Sequence, residues 1–267
     1  MTGESSAAEV RVPPAVRAAA HGRAIRVVWV NEIGGITFQL GQGRGRRFAK
    51  WAPVGSGIDL TAEAARTAWA VQFVSVPQIL RQGADEEGSW LVTAGLPGRN
   101  TIADRWRRHP AAAVQAIGSG LPAFHDGLPV AGCPFSWSAI DRLADARRRA
   151  PAGLIDPARW DPEHQAIGSL EEVLDLLTDP PPIGKLVVCH GDTCSLNTLL
   201  TDDGCVSGHV DLGLLGIADR WADLAIAAWS TRWNYGPGWE QPLLDAYGIS
   251  NDPHRIRYHR LLWELDP

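Results

Sequence analysis

The stretch that most constrains this chain is a short apolar run feeding a polar loop, followed by a second such run and a second polar turn. Lys185–Cys189 reads as a buried strand and continues into His190-Gly191-Asp192-Thr193-Cys194-Ser195-Leu196-Asn197. Cys205–Val210 reads as another strand, and it delivers Asp211-Leu212-Gly213, with Asp211 fourteen residues after Asn197. A His-x-Asp-x-x-x-x-Asn run with an Asp-x-Gly close behind arises by chance about 0.002 times in a chain of this composition. The two polar loops are therefore read as parts of one device rather than as unrelated turn caps.

The first third alternates strands with glycine turns. Arg26–Val30 is β-rich, Gly34-Gly35 marks a turn, and Ile36–Leu40 and Arg46–Trp51 flank the hairpin turn Gly41-Gln42-Gly43-Arg44-Gly45. Asp59 is placed to cap a helix running to Trp69, and Trp90–Ala94 is a further strand ending at Leu96-Pro97-Gly98. Beyond this the helical period takes over. Thr101 with Asp104 and Ser169 with Glu172 have the form of helix starts, and Ala111–His125, Trp221–Trp233 and His254–Trp263 read as helices. The expectation is an α+β, bilobal chain: a β-rich N-terminal lobe over residues 1–95 and a mostly helical C-terminal lobe over 96–267.

Composition removes several classes of function. A net charge of −5 argues against a nucleic-acid binder, which needs clustered basic residues. The longest apolar runs, such as Leu224–Trp229, are far short of the roughly 20 residues that span a bilayer. The polar start Met1-Thr2-Gly3-Glu4 has no apolar signal core, and Cys133, Cys189, Cys194 and Cys205 fit a reduced protein, so the expected location is cytoplasmic. Cys189, His190 and Cys194 lack the second spaced pair that a structural zinc site requires. Only two of the 25 basic residues are lysines, Lys50 and Lys185, so the lysine at position 50 of this arginine-rich chain is read as a place where arginine does not serve.

The two polar loops have the spacing of a kinase catalytic loop followed by its metal-binding Asp-x-Gly. Phosphoryl transfer requires a base beside the attacking hydroxyl and oxygen ligands that hold Mg²⁺ against the phosphates. Asp192 suits the base; Asn197 and Asp211 suit the metal. Lys50 closes a strand where a kinase places the lysine that grips the nucleotide phosphates, and Glu63 on the following helix suits its ion-pair partner. Gly34 and Gly35 sit where backbone can approach phosphate oxygens. Lys185 has no such partner motif and reads as a surface residue.

These residues resemble the aminoglycoside 3'-phosphotransferases, antibiotic kinases of the protein-kinase-like fold. The resemblance runs from about residue 27 and is carried by Phe48-Ala49-Lys50-Trp51, Glu63-Ala64-Ala65-Arg66, Trp90-Leu91-Val92 with Pro97-Gly98, and Cys133-Pro134-Phe135. It is strongest in His190-Gly191-Asp192 with Asn197, in Val210-Asp211-Leu212-Gly213, and in Gly216-Ile217-Ala218-Asp219-Arg220-Trp221-Ala222-Asp223-Leu224-Ala225. It implies ATP (or GTP) with Mg²⁺, an adenine site along Val92 to Ala94, and attack by an antibiotic hydroxyl, the 3'-hydroxyl of an aminoglycoside, conferring resistance. It further implies an acidic acceptor site: Glu240 and Glu264 by position, Asp156, Asp161 and Glu163 in an inserted segment, and Asp192 touching the sugar as well as serving as base. A monomer or weak dimer acting on small molecules is expected.

The chain departs from the family pattern in three places. Asn31-Glu32-Ile33-Gly34-Gly35 replaces the usual Gly-x-Ser loop, Leu214 stands where many members have arginine, and the chain ends in Asp266-Pro267. Two other readings stand beside this one: a kinase of the same fold for another small hydroxyl compound (a sugar, a choline-like amine or a macrolide), and a catalytically silent nucleotide-binding scaffold.

Overall fold

The computed structural model describes residues 10–266. The chain forms two compact units: one of residues up to Arg99 together with Leu199–Gly213, the other of Asn100–Thr198 together with the chain from Leu214.

The first unit is built on an antiparallel five-stranded sheet of β1 (Ile25–Val30), β2 (Ile36–Leu40), β3 (Arg47–Pro53), β4 (Ile79–Ala84) and β5 (Gly88–Ala94), in the order β1-β2-β3-β5-β4. Alternation of side chains sends the two faces of the sheet to different helices. Phe38, Leu40, Ala49 and Val92 pack against α1 (Pro14–Ala20) through Val16 and Ala19. Ala52 and Leu91 pack against Leu60 and Ala64 of α2 (Leu60–Ala70). Asp59 caps α2, its side chain accepting from the Ala62 N–H at 2.9 Å, as expected from sequence. The β1–β2 turn is closed by Asn31, whose Oδ1 accepts from the Gly35 N–H at 2.5 Å.

The returning segment is tied to the loop after α2. Its strand Val206–His209 brings Ser207 within reach of Ser75 and Pro97, with Ser75 Oγ donating to the Ser207 carbonyl at 2.6 Å and Ser207 Oγ to the Pro97 carbonyl at 2.7 Å.

The second unit is helical around a two-stranded ribbon, Leu186–Cys189 paired antiparallel with Gly216–Asp219. Its helices are α3 (Asp104–Arg107), α4 (Pro110–Gly127), α5 (Ala139–Arg149), α6 (Pro162–Gln165), α7 (Leu170–Leu176), α8 (Trp221–Tyr235), α9 (Glu240–Tyr247) and α10 (Pro253–Trp263). Gly118 and Pro122 do not break α4. A Cβ at Gly118 would stand 2.5 Å from the Leu243 carbonyl oxygen of α9, so the glycine is what lets these two helices touch. Leu143, Trp160, Val173, Tyr258 and Leu262 form a core shared by α5, α7 and α10.

The capping box expected at Ser169 and Glu172 is present. The helix start expected at Thr101 is not: α3 is one turn that begins at Asp104 after an N-cap position, Ala103, with no side-chain cap, and the Thr101 hydroxyl donates to the Ser195 carbonyl instead. Its side chain supports the polar loop rather than a helix. The helices α1, α5 and α9 and the strand β4 had no expectation from sequence.

Candidate active site

Within the first unit, β3 and α2 bring together the ion pair expected from sequence. Lys50 Nζ donates to Glu63 Oε1 at 2.8 Å and Oε2 at 2.9 Å, and also to Asp211 Oδ1 at 2.7 Å. Burial alone would lower the Lys50 pKa, but Asp211 and Glu63 outweigh it and hold the ammonium above its ordinary value, so Lys50 is charged at every physiological pH. Asp211 has φ 67°, a left-handed conformation that carries strain in a non-glycine residue. Gly34 and Gly35 lie in the β1–β2 turn. Val92 and Ala94 lie on β5, but the Val92 side chain belongs to the α1 core, on the sheet face away from Lys50, whose cross-strand partner is Leu91.

Within the second unit, the ribbon strand ends at Cys189 and the loop turns at once. Gly191 has φ 87°, and a Cβ there would lie 2.4 Å from the Leu214 carbonyl oxygen, so no other residue fits between His190 and Asp192. The loop is anchored from α8: Asp223, fully buried, accepts from the His190 N–H at 2.7 Å and the Gly191 N–H at 3.0 Å, while its own carbonyl accepts from Thr193 Oγ1 at 2.6 Å. Burial would raise the Asp223 pKa, yet its hydrogen bond and charge interaction with His125, and its contacts with His190, hold it below the usual carboxylate value. His125 Nε2 meets Asp223 Oδ2 at 2.9 Å and its Nδ1 meets the Tyr247 hydroxyl at 2.9 Å.

The anchored loop presents Asp192. Asn197 Nδ2 donates to Asp192 Oδ2 at 2.9 Å and to its carbonyl at 3.0 Å, and the Cys194 N–H donates to Asp192 Oδ1 at 3.3 Å. With its amide nitrogen so committed, the Asn197 Oδ1 is buried and lacks a hydrogen-bond partner among the described residues. An orphaned buried amide oxygen on one loop and a half-exposed carboxylate, Asp211, on the other are hard oxygen donors of the kind Mg²⁺ prefers. Each, taken by itself, has the donor chemistry such an ion takes.

The acidic residues implied for acceptor binding are mostly engaged. Asp156 caps a 3-10 turn. Asp161 caps α6 through the Glu163 N–H at 3.0 Å. Glu163 pairs with Arg232 at 3.3 Å, and Glu240 with Arg260 at 2.7 Å. Glu264 Oε1 accepts from the Asp161 N–H and from His164 Nδ1, both at 2.7 Å. Asp161, Glu163 and Glu264 therefore share one cluster around α6, while Glu240 is held at the start of α9 by α10. Lys185 pairs with Asp126 at 2.8 Å in an exposed position, consistent with a surface role.

Sequence reasoning gave no role to Asp223, His125 or Tyr247. The available signal was the Asp219-Arg220-Trp221-x-Asp223 run, in which an acidic residue sits amid an otherwise apolar helix. His125, Cys189 and Asp223 lie close enough to suggest a metal cluster. The hydrogen bonds already described occupy the His125 nitrogens and Asp223 Oδ2, the Cys189 thiol donates to the Asp219 carbonyl at 3.4 Å, and burial pushes that thiol pKa well up. It is a structural network.

Residues 33–259 match the profile of the phosphotransferase enzyme family. The chain is 35% identical over 228 residues to an aminoglycoside 3'-phosphotransferase of Streptomyces fradiae, covering 82% of this chain and 84% of that protein. It is also 35% identical over 236 residues to a streptomycin 3''-kinase of Streptomyces griseus, covering 83% and 84%. The crystal structure of a type VIII aminoglycoside-3'-phosphotransferase superposes with a TM-score of 0.81 at 33% identity, covering 94% of this chain and 97% of that one. A Streptomyces rimosus aminoglycoside phosphotransferase in complex with ADP and streptomycin superposes with a TM-score of 0.75 at 28% identity, covering 94% and 95%.

Proposed function

This chain belongs to the phosphotransferase enzyme family, among the aminoglycoside 3'-phosphotransferases, and on that premise we propose that it moves the γ-phosphate of ATP (or GTP) to the 3'-hydroxyl of an aminoglycoside and so confers resistance. The observation that carries the reading is the Asp192–Asn197 pair. One carboxylate is oriented by an amide and a backbone N–H, on a loop that a buried aspartate fixes in place.

Asp192 accepts the proton of the acceptor hydroxyl as its oxygen bonds to the γ-phosphorus and the bond to the bridging oxygen of the nucleoside diphosphate breaks. Lys50, held by Glu63, neutralises phosphate oxygens. Asn197 Oδ1 and Asp211 would hold Mg²⁺, which neutralises charge on the transferring phosphoryl group when bound. Gly34 and Gly35 approach the phosphates, and the chain around Val92 and Ala94 lines the adenine. Asp161, Glu163, Glu240 and Glu264 surround the amino groups of the acceptor, since a polyamine sheds water at lower cost where carboxylates replace it. The protein works in the cytoplasm as a monomer or weak dimer. No helix among the described residues is long and apolar enough to cross a membrane.

The test is a coupled ADP-release assay across kanamycin, neomycin, streptomycin, choline and simple sugars, with the phosphorylated position mapped by NMR. The reading predicts turnover of kanamycin or neomycin with phosphate on the 3'-oxygen. Turnover confined to a metabolite would favour the same-fold alternative, and phosphate on the 3''-oxygen would correct the regiochemistry.

A further inference from the structure

Beside the Asp192 loop the second unit carries a cluster of tryptophans that the proposed reaction does not use. Trp229 packs in one apolar group with Cys194 and Ile226, and with Leu196 and Trp263 at its edge. Cys194 is the residue whose N–H donates to Asp192 Oδ1, so the cluster is joined to the proposed base through this residue. Ring centroids lie 4.7 Å apart for Trp229 and Trp233, 6.0 Å for Trp229 and Trp263, and 5.8 Å for Trp233 and Trp263. Trp229 is buried, Trp263 half-buried, and Trp233 is 43% exposed.

The far edge of the cluster meets the acidic residues around α6. The His164 ring stands edge-on to Trp229 at 5.2 Å and binds Glu264, the residue after Trp263. Arg232, the residue before Trp233, pairs with Glu163. The tryptophans thus fill the ground between the proposed base and the carboxylates expected to bind the acceptor. Those carboxylates already have partners inside the chain: Arg232 for Glu163, Arg260 for Glu240, and His164 with the Asp161 N–H for Glu264. A polyamine arriving here finds acidic charge that is largely countered, and an indole, Trp233, that is partly open to solvent.

We propose that Trp233, backed by Trp229 and Trp263, is the stacking platform for one aminosugar ring of the acceptor, and that this contact selects the acceptor as much as the carboxylates do. The inference rests on the aminoglycoside-kinase reading. A pyranose ring has an apolar C–H face that matches an indole, and its ammonium groups are drawn to the indole π-face. Trp233 is large and rigid, so little conformational entropy is lost on stacking. The surrounding half-neutralised carboxylates then set orientation through hydrogen bonds, with charge as the lesser part.

The test compares steady-state kinetics of the wild type, Trp233→Ala and Trp233→Phe with kanamycin and ATP, alongside titration of intrinsic tryptophan fluorescence with kanamycin. Trp233→Ala is expected to raise the kanamycin KM about tenfold, which corresponds to a stacking energy near the middle of the cation–π range. The ATP KM should stay within about twofold, and Trp233→Phe should recover most of the loss. Kanamycin should quench wild-type fluorescence, and Trp233→Ala should remove that part of the change. An unchanged kanamycin KM in Trp233→Ala, with wild-type turnover intact, overturns this inference and leaves the proposed function standing. Loss of self-association in Trp233→Ala with an unchanged KM overturns it too, and shows the patch to be a contact between copies. Absence of wild-type turnover with every aminoglycoside overturns the proposed function and this inference together.

Discussion

Lys50 Nζ lies 2.7 Å from Asp211 Oδ1 while it also grips both oxygens of Glu63, so one ammonium ties β3, α2 and the Asp211 turn together. The strained conformation at Asp211 is thereby offset within its own unit. On the proposed reading, nucleotide phosphates would compete with Asp211 for Lys50, and the freed carboxylate would be available to hold Mg²⁺.

Lys50→Met should therefore do more than delete a charge. It removes the ammonium that grips both carboxylate oxygens of Glu63, a residue almost wholly buried. A fall in kcat/KM for ATP of about 10²–10³-fold is expected, with Lys50→Arg recovering little because a planar guanidinium cannot serve two carboxylates and a phosphate as a point charge does. Steady-state kinetics with varied ATP checks this; full activity in Lys50→Arg would count against it.

Asn197→Leu removes the orphaned amide oxygen and the donor to Asp192 together. The Mg²⁺ concentration giving half-maximal activity should rise by at least the roughly 10–100-fold that loss of a metal's outer hydrogen-bond partner costs. Activity titrated against Mg²⁺ at saturating nucleotide measures it.

Asp223→Ala strands the His190 and Gly191 N–H groups and the His125 ring in a buried site. A loss of about 3 kcal/mol in unfolding free energy is expected. Activity should be lost as well, because the loop that presents Asp192 is no longer fixed. Urea denaturation alongside a kinetic assay separates the two effects; a stable Asp223→Ala variant with normal kcat would contradict the anchoring role.

His259 supplies the pH dependence. Burial first, then the positive charges of Arg142 and Arg255, lower its pKa to about 3, and its Nδ1 is buried without a hydrogen-bond partner among the described residues. The unfolded chain takes up a proton near pH 6.5 while the folded chain does not until about pH 3. Stability is thus intact above pH 6.5 and falls with pH through that window. This residue alone should remove about 2 kcal/mol between pH 7 and 5. His259→Leu should show a correspondingly flatter stability profile in urea titrations at those two pH values.

Much of the candidate site's geometry was legible because the proposed phosphoryl transfer needs particular residue types at fixed spacings. Lys50, Glu63, Asp192, Asn197 and Asp211 each announce themselves by motif, and the Lys50–Glu63 pair stands where β3 and α2 were expected to place it. Local signals with a single physical cause were equally readable: the Asp59 cap, the Ser169–Glu172 capping box and the glycine turns of the first sheet. Thr101 misled because a threonine hydroxyl serves a distant carbonyl as well as a helix end, and only tertiary placement decides. The Asp223–His125–Tyr247 network joins α4, α8 and α9, and the tryptophan cluster joins α8 to α10. No local pattern encodes which buried polar groups or rings will meet across helices. The alanine-rich α1 spans only seven residues and α5 is largely charged, so neither has a long apolar run, and their packing partners supply what their sequences do not.

Asp192→Asn, which preserves shape, tests whether Asp192 takes the proton of the acceptor hydroxyl. A fall in kcat of about 10²–10⁴-fold is expected, with the nucleotide Kd measured by calorimetry unchanged within about threefold. A variant that kept kcat within tenfold of wild type, or lost nucleotide affinity in step with activity, would contradict it.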